Sequence, residues 1–240
     1  MTELRVDTLS KRFGGLRVFQ DISFTLETGG LLGVIGPNGA GKTTLINVIS
    51  GRQPPSGGRV FLGGRDVSGQ PAHAISRMGL ARSFQQTNTF KSVSVRENIV
   101  RAIRFGQRGM PQGLEALMDQ FGLTQRLDEQ SDKLPYGLQK MLGLVMAYAT
   151  APSILMLDEP AAGLERAERH HVDTFVAHAR EVGKCSVLII EHDMDLIRRL
   201  CPRILVLDAG VLLADGSPSD VLSRPDVIAA YLGGSEEEAA

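Results

Sequence analysis

The run Gly36-Pro37-Asn38-Gly39-Ala40-Gly41-Lys42-Thr43 fits the spacing G-x-x-x-x-G-K-[ST]. A nucleoside triphosphate carries several negative charges. Small residues let consecutive backbone N–H groups converge on it, and a helix starting at the end of the run adds its positive pole. Lys42 would reach the β- and γ-phosphates, and the Thr43 hydroxyl would be offered to Mg²⁺, which bridges phosphate oxygens while the terminal bond breaks. Gly36, Asn38, Gly39, Ala40, Gly41, Lys42, Thr43 and Thr44 are therefore the expected nucleotide contacts. Two carboxylates, Asp158 and Glu159, close the apolar run Ile154-Leu155-Met156-Leu157. Adjacent residues at a strand end face opposite ways, so Asp158 suits an indirect, water-mediated contact to Mg²⁺ and Glu159 suits polarising an attacking water. His192 follows a second apolar run, Ser186–Ile190, and stands where it could meet the γ-phosphate and that water; alone, such a histidine is more often structural.

These groups need a scaffold that brings strand ends together. Glu3–Leu9, Val18–Glu27 and the buried run Leu31–Ile35 read as strands, the last feeding the glycine-rich turn. From about Val93 to Ala151 the apolar spacing becomes helical, interrupted by the glycine, proline and arginine of 106–113. Strand Ile154–Leu157, a helix from about Arg166 to Val182, strand Ser186–Ile190, a short helix and strand Ile204–Leu207 then alternate. Parallel β-α units are the simplest arrangement, giving an α/β chain whose ligand crevice lies at the carboxyl ends of the strands. No internal repeat is present.

The 240 residues, 42% hydrophobic and 22% charged, suit one α/β domain. A formal net charge of -1 lacks the basic footprint of a nucleic-acid binder, so no nucleic-acid partner is expected. Two cysteines, Cys185 and Cys201, form neither a C-x-x-C pair nor a disulfide framework, which fits a reducing compartment. The longest apolar stretch, about Leu142 to Ala151, is roughly half of what crosses a bilayer, and the first residues lack a signal-peptide pattern.

With phosphate loop, paired carboxylates and histidine in that order, the chain resembles the ATP-binding-cassette ATPases from Leu4 to Gly233. The resemblance implies a P-loop NTPase (RecA-like) core with an antiparallel β subdomain and an inserted α-helical subdomain. It implies one domain over 1–234, with the core at about 1–85 and 152–234, helices at about 86–151, and a flexible tail at 235–240. It places Phe13 against adenine, although Phe13 also reads as a core residue, and it places Gln85 of Ser83-Phe84-Gln85-Gln86 at both the metal and the membrane subunit. Leu134, Pro135, Tyr136, Gly137 and Leu138 stand at the LSGGQ signature, which serves the partner's ATP. Ala162, Gly163, Leu164 and Glu165 stand at the D-loop, and Glu191-His192-Asp193 at the switch.

Within that family, Arg82-Ser83-Phe84-Gln85, the run Asp158–Leu164, Glu191–Met194 and the ending Ala229-Ala230-Tyr231-Leu232-Gly233 look like branched-chain amino-acid importer ATPases. Urea or short-amide importer ATPases share much of this. The implied partners are a second cassette subunit, transmembrane permease subunits and, indirectly, a substrate-binding protein; the implied cofactors are ATP and Mg²⁺. The implied location is the cytoplasmic face of the inner membrane, as a peripheral subunit. The permease groove would involve about Thr87 to Arg108, whose arginines Arg96, Arg101, Arg104 and Arg108 read as well as a solvated helix face.

Pro135 replaces the signature serine and supplies neither a hydroxyl nor an N–H. Tyr136 replaces the first glycine, Leu138 the glutamine, and Glu165 the D-loop Asp or Asn. These departures point to a heterodimer with one weakened site, and keep open a cassette acting mainly as an ATP-dependent regulatory partner. Soluble cassettes of DNA repair or the ribosome carry long coiled-coil insertions or two cassettes in one chain, and GTPases an N-K-x-D motif; the sequence has none of these.

Overall fold

The computed structural model describes residues 2–83 and 89–233. The elements follow as β1 (Leu4–Phe13), β2 (Leu16–Leu26), β3 (Leu31–Ile35), α1 (Lys42–Ile49), β4 (Gly57–Leu62), β5 (Arg65–Asp66), α2 (Ala72–Arg77), β6 (Leu80–Arg82), α3 (Val95–Gly106), α4 (Leu114–Gln120) and α5 (Tyr136–Ala149). After these come β7 (Ile154–Asp158), α6 (His170–Glu181), β8 (Ser186–Ile190), α7 (Met194–Leu200), β9 (Arg203–Asp208), β10 (Val211–Gly216), α8 (Pro218–Leu222) and α9 (Pro225–Gly233).

Among the described residues, one sheet runs β2-β1-β4-β5 and is antiparallel, and the other runs β10-β9-β3-β8-β7-β6. In the second, β6, β7, β8, β3 and β9 are parallel and only β10 turns back against β9. Residues one apart on a strand face opposite sides, and here both sides are covered. Leu155 and Leu157 of β7 join Val187 and Ile189 of β8 in a core shared with α5 and α6. Ile154 and Met156, with Leu188 and Ile190, join α1 and the inner face of the antiparallel sheet. A parallel sheet buried on two faces explains why these strands read as unbroken apolar runs.

The registers align the strand ends. Asp158 and Val34 both lie beside Ile190, and Arg82 lies beside Met156. The carboxyl ends of β3, β6, β7 and β8 therefore open on one side, and that side carries Lys42, Asp158, Glu159 and His192. The expected strands are present. The helix expected from about Arg166 begins at His170, because Glu168 binds the Glu165 N–H at 3.1 Å and its own N–H meets the Glu165 carbonyl at 2.9 Å, a local turn that competes with helix. Cys185 and Cys201 are buried free thiols, both pushed up to about 12 by burial, and so are protonated at neutral pH. Gln85 and the 235–240 tail lie outside the described residues.

Candidate active site

The loop after β3 passes close under β9. Gly36 has φ 151°, and a Cβ there would collide with the Leu207 carbonyl oxygen, so only glycine lets the turn form. α1 then starts from Gly41, which has no side chain to cap it, and its first turn carries no acidic residue. The N–H groups of Lys42, Thr43 and Thr44 are left as donors for an anion. Lys42 is buried, and its Nζ donates to the Gly36 carbonyl at 2.7 Å and the Pro37 carbonyl at 2.9 Å. Burial lowers the Lys42 pKa, while the charges of Glu159 and Asp158 raise it. Thr43 is exposed at the amino end of α1.

Asp158 and Glu159 face opposite ways, Asp158 as the last residue of β7 and Glu159 just beyond it. Asp158 is buried and its Oδ2 accepts from Arg82 at 2.7 Å. Arg82 also donates to Asn47 Oδ1 on α1 at 2.6 Å, which ties the ends of β6 and β7 to the helix behind the phosphate loop. Glu159 takes a left-handed conformation, φ 48°, and its Oε1 lies 2.5 Å from His192 Nε2. Sequence reasoning thus brought Lys42, Thr43, Asp158, Glu159 and His192 to one place, and the fold assembles them there. It overlooked Arg82, whose signal was a cation at the end of a short strand parallel to β7.

Glu191, read only as part of the switch run, is buried. Its Oε1 accepts from the Ala161 N–H at 2.7 Å and its Oε2 from the His192 N–H at 3.1 Å. Burial raises the Glu191 carboxyl pKa, against the lowering effect of N–H bonds from Ala161, His192 and Asp193. The D-loop residues Ala162, Gly163, Leu164 and Glu165 follow directly, with Leu164 buried. Tyr136 Oη donates to the Ala162 carbonyl at 3.4 Å, and a Cβ on Gly163 would sit 2.7 Å from that hydroxyl. The residues expected at the signature and at the D-loop are thus neighbours. Pro135 precedes α5 with no side-chain cap, and Leu134 is core.

Phe13 lies apart, at the end of β1. It is 47% exposed with Lys11 Nζ 4.6 Å from its ring centroid, so the core reading fails and an open aromatic face remains. Among the described residues no three His, Cys, Asp or Glu side chains are grouped to hold a metal ion. The oxygen donors near the loop are the Thr43 hydroxyl and the carboxylates of Asp158 and Glu159. That suits Mg²⁺, which keeps several waters and arrives with phosphate oxygens, and would not suit a metal needing a full protein cage. The loop, the uncapped helix end and Lys42 fit a triphosphate.

A glycine-rich loop leading from β3 into an uncapped helix, a histidine just past the adjacent strand β8 and two carboxylates at the end of β7 beyond it define a P-loop ATPase. The chain belongs to the ABC transporter family as an ATP-binding subunit: residues 19–162 match the description ABC transporter and 211–237 match branched-chain amino acid ATP-binding cassette transporter. It is 37% identical to the high-affinity branched-chain amino acid transport ATP-binding protein LivG of Salmonella typhimurium, over 96% of this chain and 97% of that one. BraF of Pseudomonas aeruginosa, described in the same words, is 36% identical over the same shares. An ABC transporter cassette solved in its ADP conformation superposes with a TM-score of 0.85 at 27% identity, covering 97% of this chain and 99% of that one. ATP hydrolysis coupled to transport is the activity of this family.

Proposed function

We propose that this cassette powers import of branched-chain amino acids, as one half of a heterodimer seated on permease subunits at the cytoplasmic face of the membrane. The relatives' names support that cargo over urea or short amides. No described helix is long and apolar enough to cross a membrane, so attachment goes through partners. The helical segment 86–151 acts as an inserted subdomain within a single domain over 1–234.

The observation that carries the reading is Glu159. It directly follows β7 beside the phosphate loop, turns away from Asp158 and meets His192. Glu159 orients water and takes its proton as the water oxygen bonds to the γ-phosphorus and the β–γ bridging bond breaks. His192 holds the Glu159 carboxylate and contacts the γ-phosphate. Gly36, Asn38, Gly39, Ala40, Gly41, Lys42, Thr43 and Thr44 bind the phosphates, and Phe13 stacks on adenine. Thr43, Asp158 and Gln85 would hold Mg²⁺, which supplies charge neutralisation at the bridging oxygens. Leu134 to Leu138 close on the partner's ATP, and the D-loop from Ala162 to Glu165 lines the seam.

Losing donors at Pro135 weakens the partner's site by roughly a hundredfold. The test is steady-state ATP hydrolysis by the purified chain, alone and with a candidate partner cassette. Turnover should require the partner and vanish in Glu159→Gln, while Pro135→Ser should raise it. ATP binding without hydrolysis in any mixture would favour the regulatory reading, and full hydrolysis at both sites of the wild-type pair would defeat the weakened site.

A further inference from the structure

α5 carries a buried charge next to its signature end. Lys140 lies on the turn after Gly137 and is 3% exposed; its Nζ donates to the Glu159 carbonyl oxygen at 3.1 Å. Burial lowers its pKa, and the nearby charges that raise it are Glu191, Glu159 and Asp158. Glu191, equally 3% exposed, is the carboxylate that gathers the Ala161 and His192 N–H groups. α5, the end of β7 and the end of β8 thus meet around one buried cation.

What that cation touches is the strained residue. A long L side chain at φ 48° costs on the order of 1 kcal/mol or more and persists only where its surroundings hold it. The Glu159 N–H is held by the Ile190 carbonyl at 2.9 Å; its own carbonyl accepts from the Ala162 N–H at 3.1 Å and from Lys140. A charged donor is the strongest of these. The twist it secures is what sends the Glu159 carboxylate to His192, while Asp158, still in β7, reaches Arg82.

We propose that Lys140 is a positioning residue: acting through the Glu159 carbonyl, it holds the left-handed turn that aims the base, and so links the signature helix to this chain's own hydrolytic carboxylate. The link rests on Glu159 being the base. Its consequence is that a shift at the amino end of α5, which faces the partner's nucleotide, reaches the base of this chain's own site within one helical turn. A purely structural Lys140 would instead do no more than neutralise Glu191.

The test compares Lys140→Met, Lys140→Arg and the double variant Lys140→Met/Glu191→Gln, each as full chain with the partner cassette. The readouts are kcat, KM, equilibrium affinity for an ATP analogue and thermal midpoint. Lys140→Met should lose roughly tenfold or more in kcat, with KM and affinity within about twofold, and Lys140→Arg should recover much of it. The double variant, free of a lone buried charge, should regain the thermal midpoint without regaining kcat. Recovery of kcat together with stability would overturn the proposal, as would an unchanged kcat in Lys140→Met; if that variant fails to fold, the double variant decides. Wild-type turnover that does not depend on Glu159 defeats the base reading and this link together, whereas Glu159-dependent turnover that survives loss of Lys140 defeats the link alone.

Discussion

Arg82 and Asp158 form an ion pair whose side chains are both almost fully buried, and Asn47 fills a further place on the guanidinium. Removing one partner of such a pair leaves the other's charge in low dielectric without its hydrogen-bonded counter-ion. Arg82→Met should therefore destabilise the chain by about 3–5 kcal/mol, read from denaturant unfolding, although methionine fills much of the same volume. A loss below about 1 kcal/mol would mean that water reaches Asp158. Asp158 was legible in the sequence, because carboxylates closing an apolar run need a reason. Its partner was not, since strand β6 has only Leu80 to Arg82 and too few residues to show a period. Lys140 was hidden differently. In Lys140-Met141-Leu142-Gly143-Leu144 a single cation looks like a surface position, and only the depth of α5 reveals it as interior.

At the scale of elements, the long periodic segments were readable and the short ones were not. β3, β7, β8 and β9 announced themselves as apolar runs because both sheet faces are covered. β4 opens on Gly57-Gly58 and β5 has only Arg65 and Asp66, so each borrows its conformation from its partner in the antiparallel sheet. The helices carry local signals of varied strength. α3 is capped by Ser94, whose Oγ accepts the Glu97 N–H at 3.2 Å, with Glu97 in turn paired to Arg101. Ser94→Ala should cost about 1 kcal/mol, lowering the thermal midpoint by roughly 2–4 °C in a chain of this size. Glu97→Ala, which removes only an exposed pair, should cost less than half of that. Of the arginines on this stretch, Arg96 and Arg101 make exposed pairs with Asp128 and Glu97, while Arg108 donates to the Arg77 carbonyl.

For the whole molecule, the nucleotide site sits where the two sheets meet: a Cβ on Gly41 of the phosphate loop would lie 3.2 Å from the Val18 carbonyl of β2, and Gln20 of β2 donates to the Gly210 carbonyl at 2.8 Å. A ligand bound at this junction couples to both sheets. Saturating MgATP at about 100 times its dissociation constant should stabilise the fold by about 2.7 kcal/mol, a rise of roughly 5–10 °C. Calorimetry or a thermal-shift assay checks this, and chelating Mg²⁺ should remove most of the rise. An equal rise with ATP and chelator would show that the metal adds nothing to affinity. The order of the parallel strands carries one more consequence. β3, which leads into the phosphate loop near the start of the chain, has β8 and β9 as its neighbours, and both come late. When Thr43 leaves the ribosome its flanking strands do not yet exist. Roughly 165 more residues must be added before Asp208 completes them, about ten to thirty seconds at ordinary rates of synthesis. Through that interval the nascent chain holds a glycine-rich loop that grips nothing, with β3 as an apolar strand bare on both edges, open to chaperones and to mispairing with its neighbours on the same message.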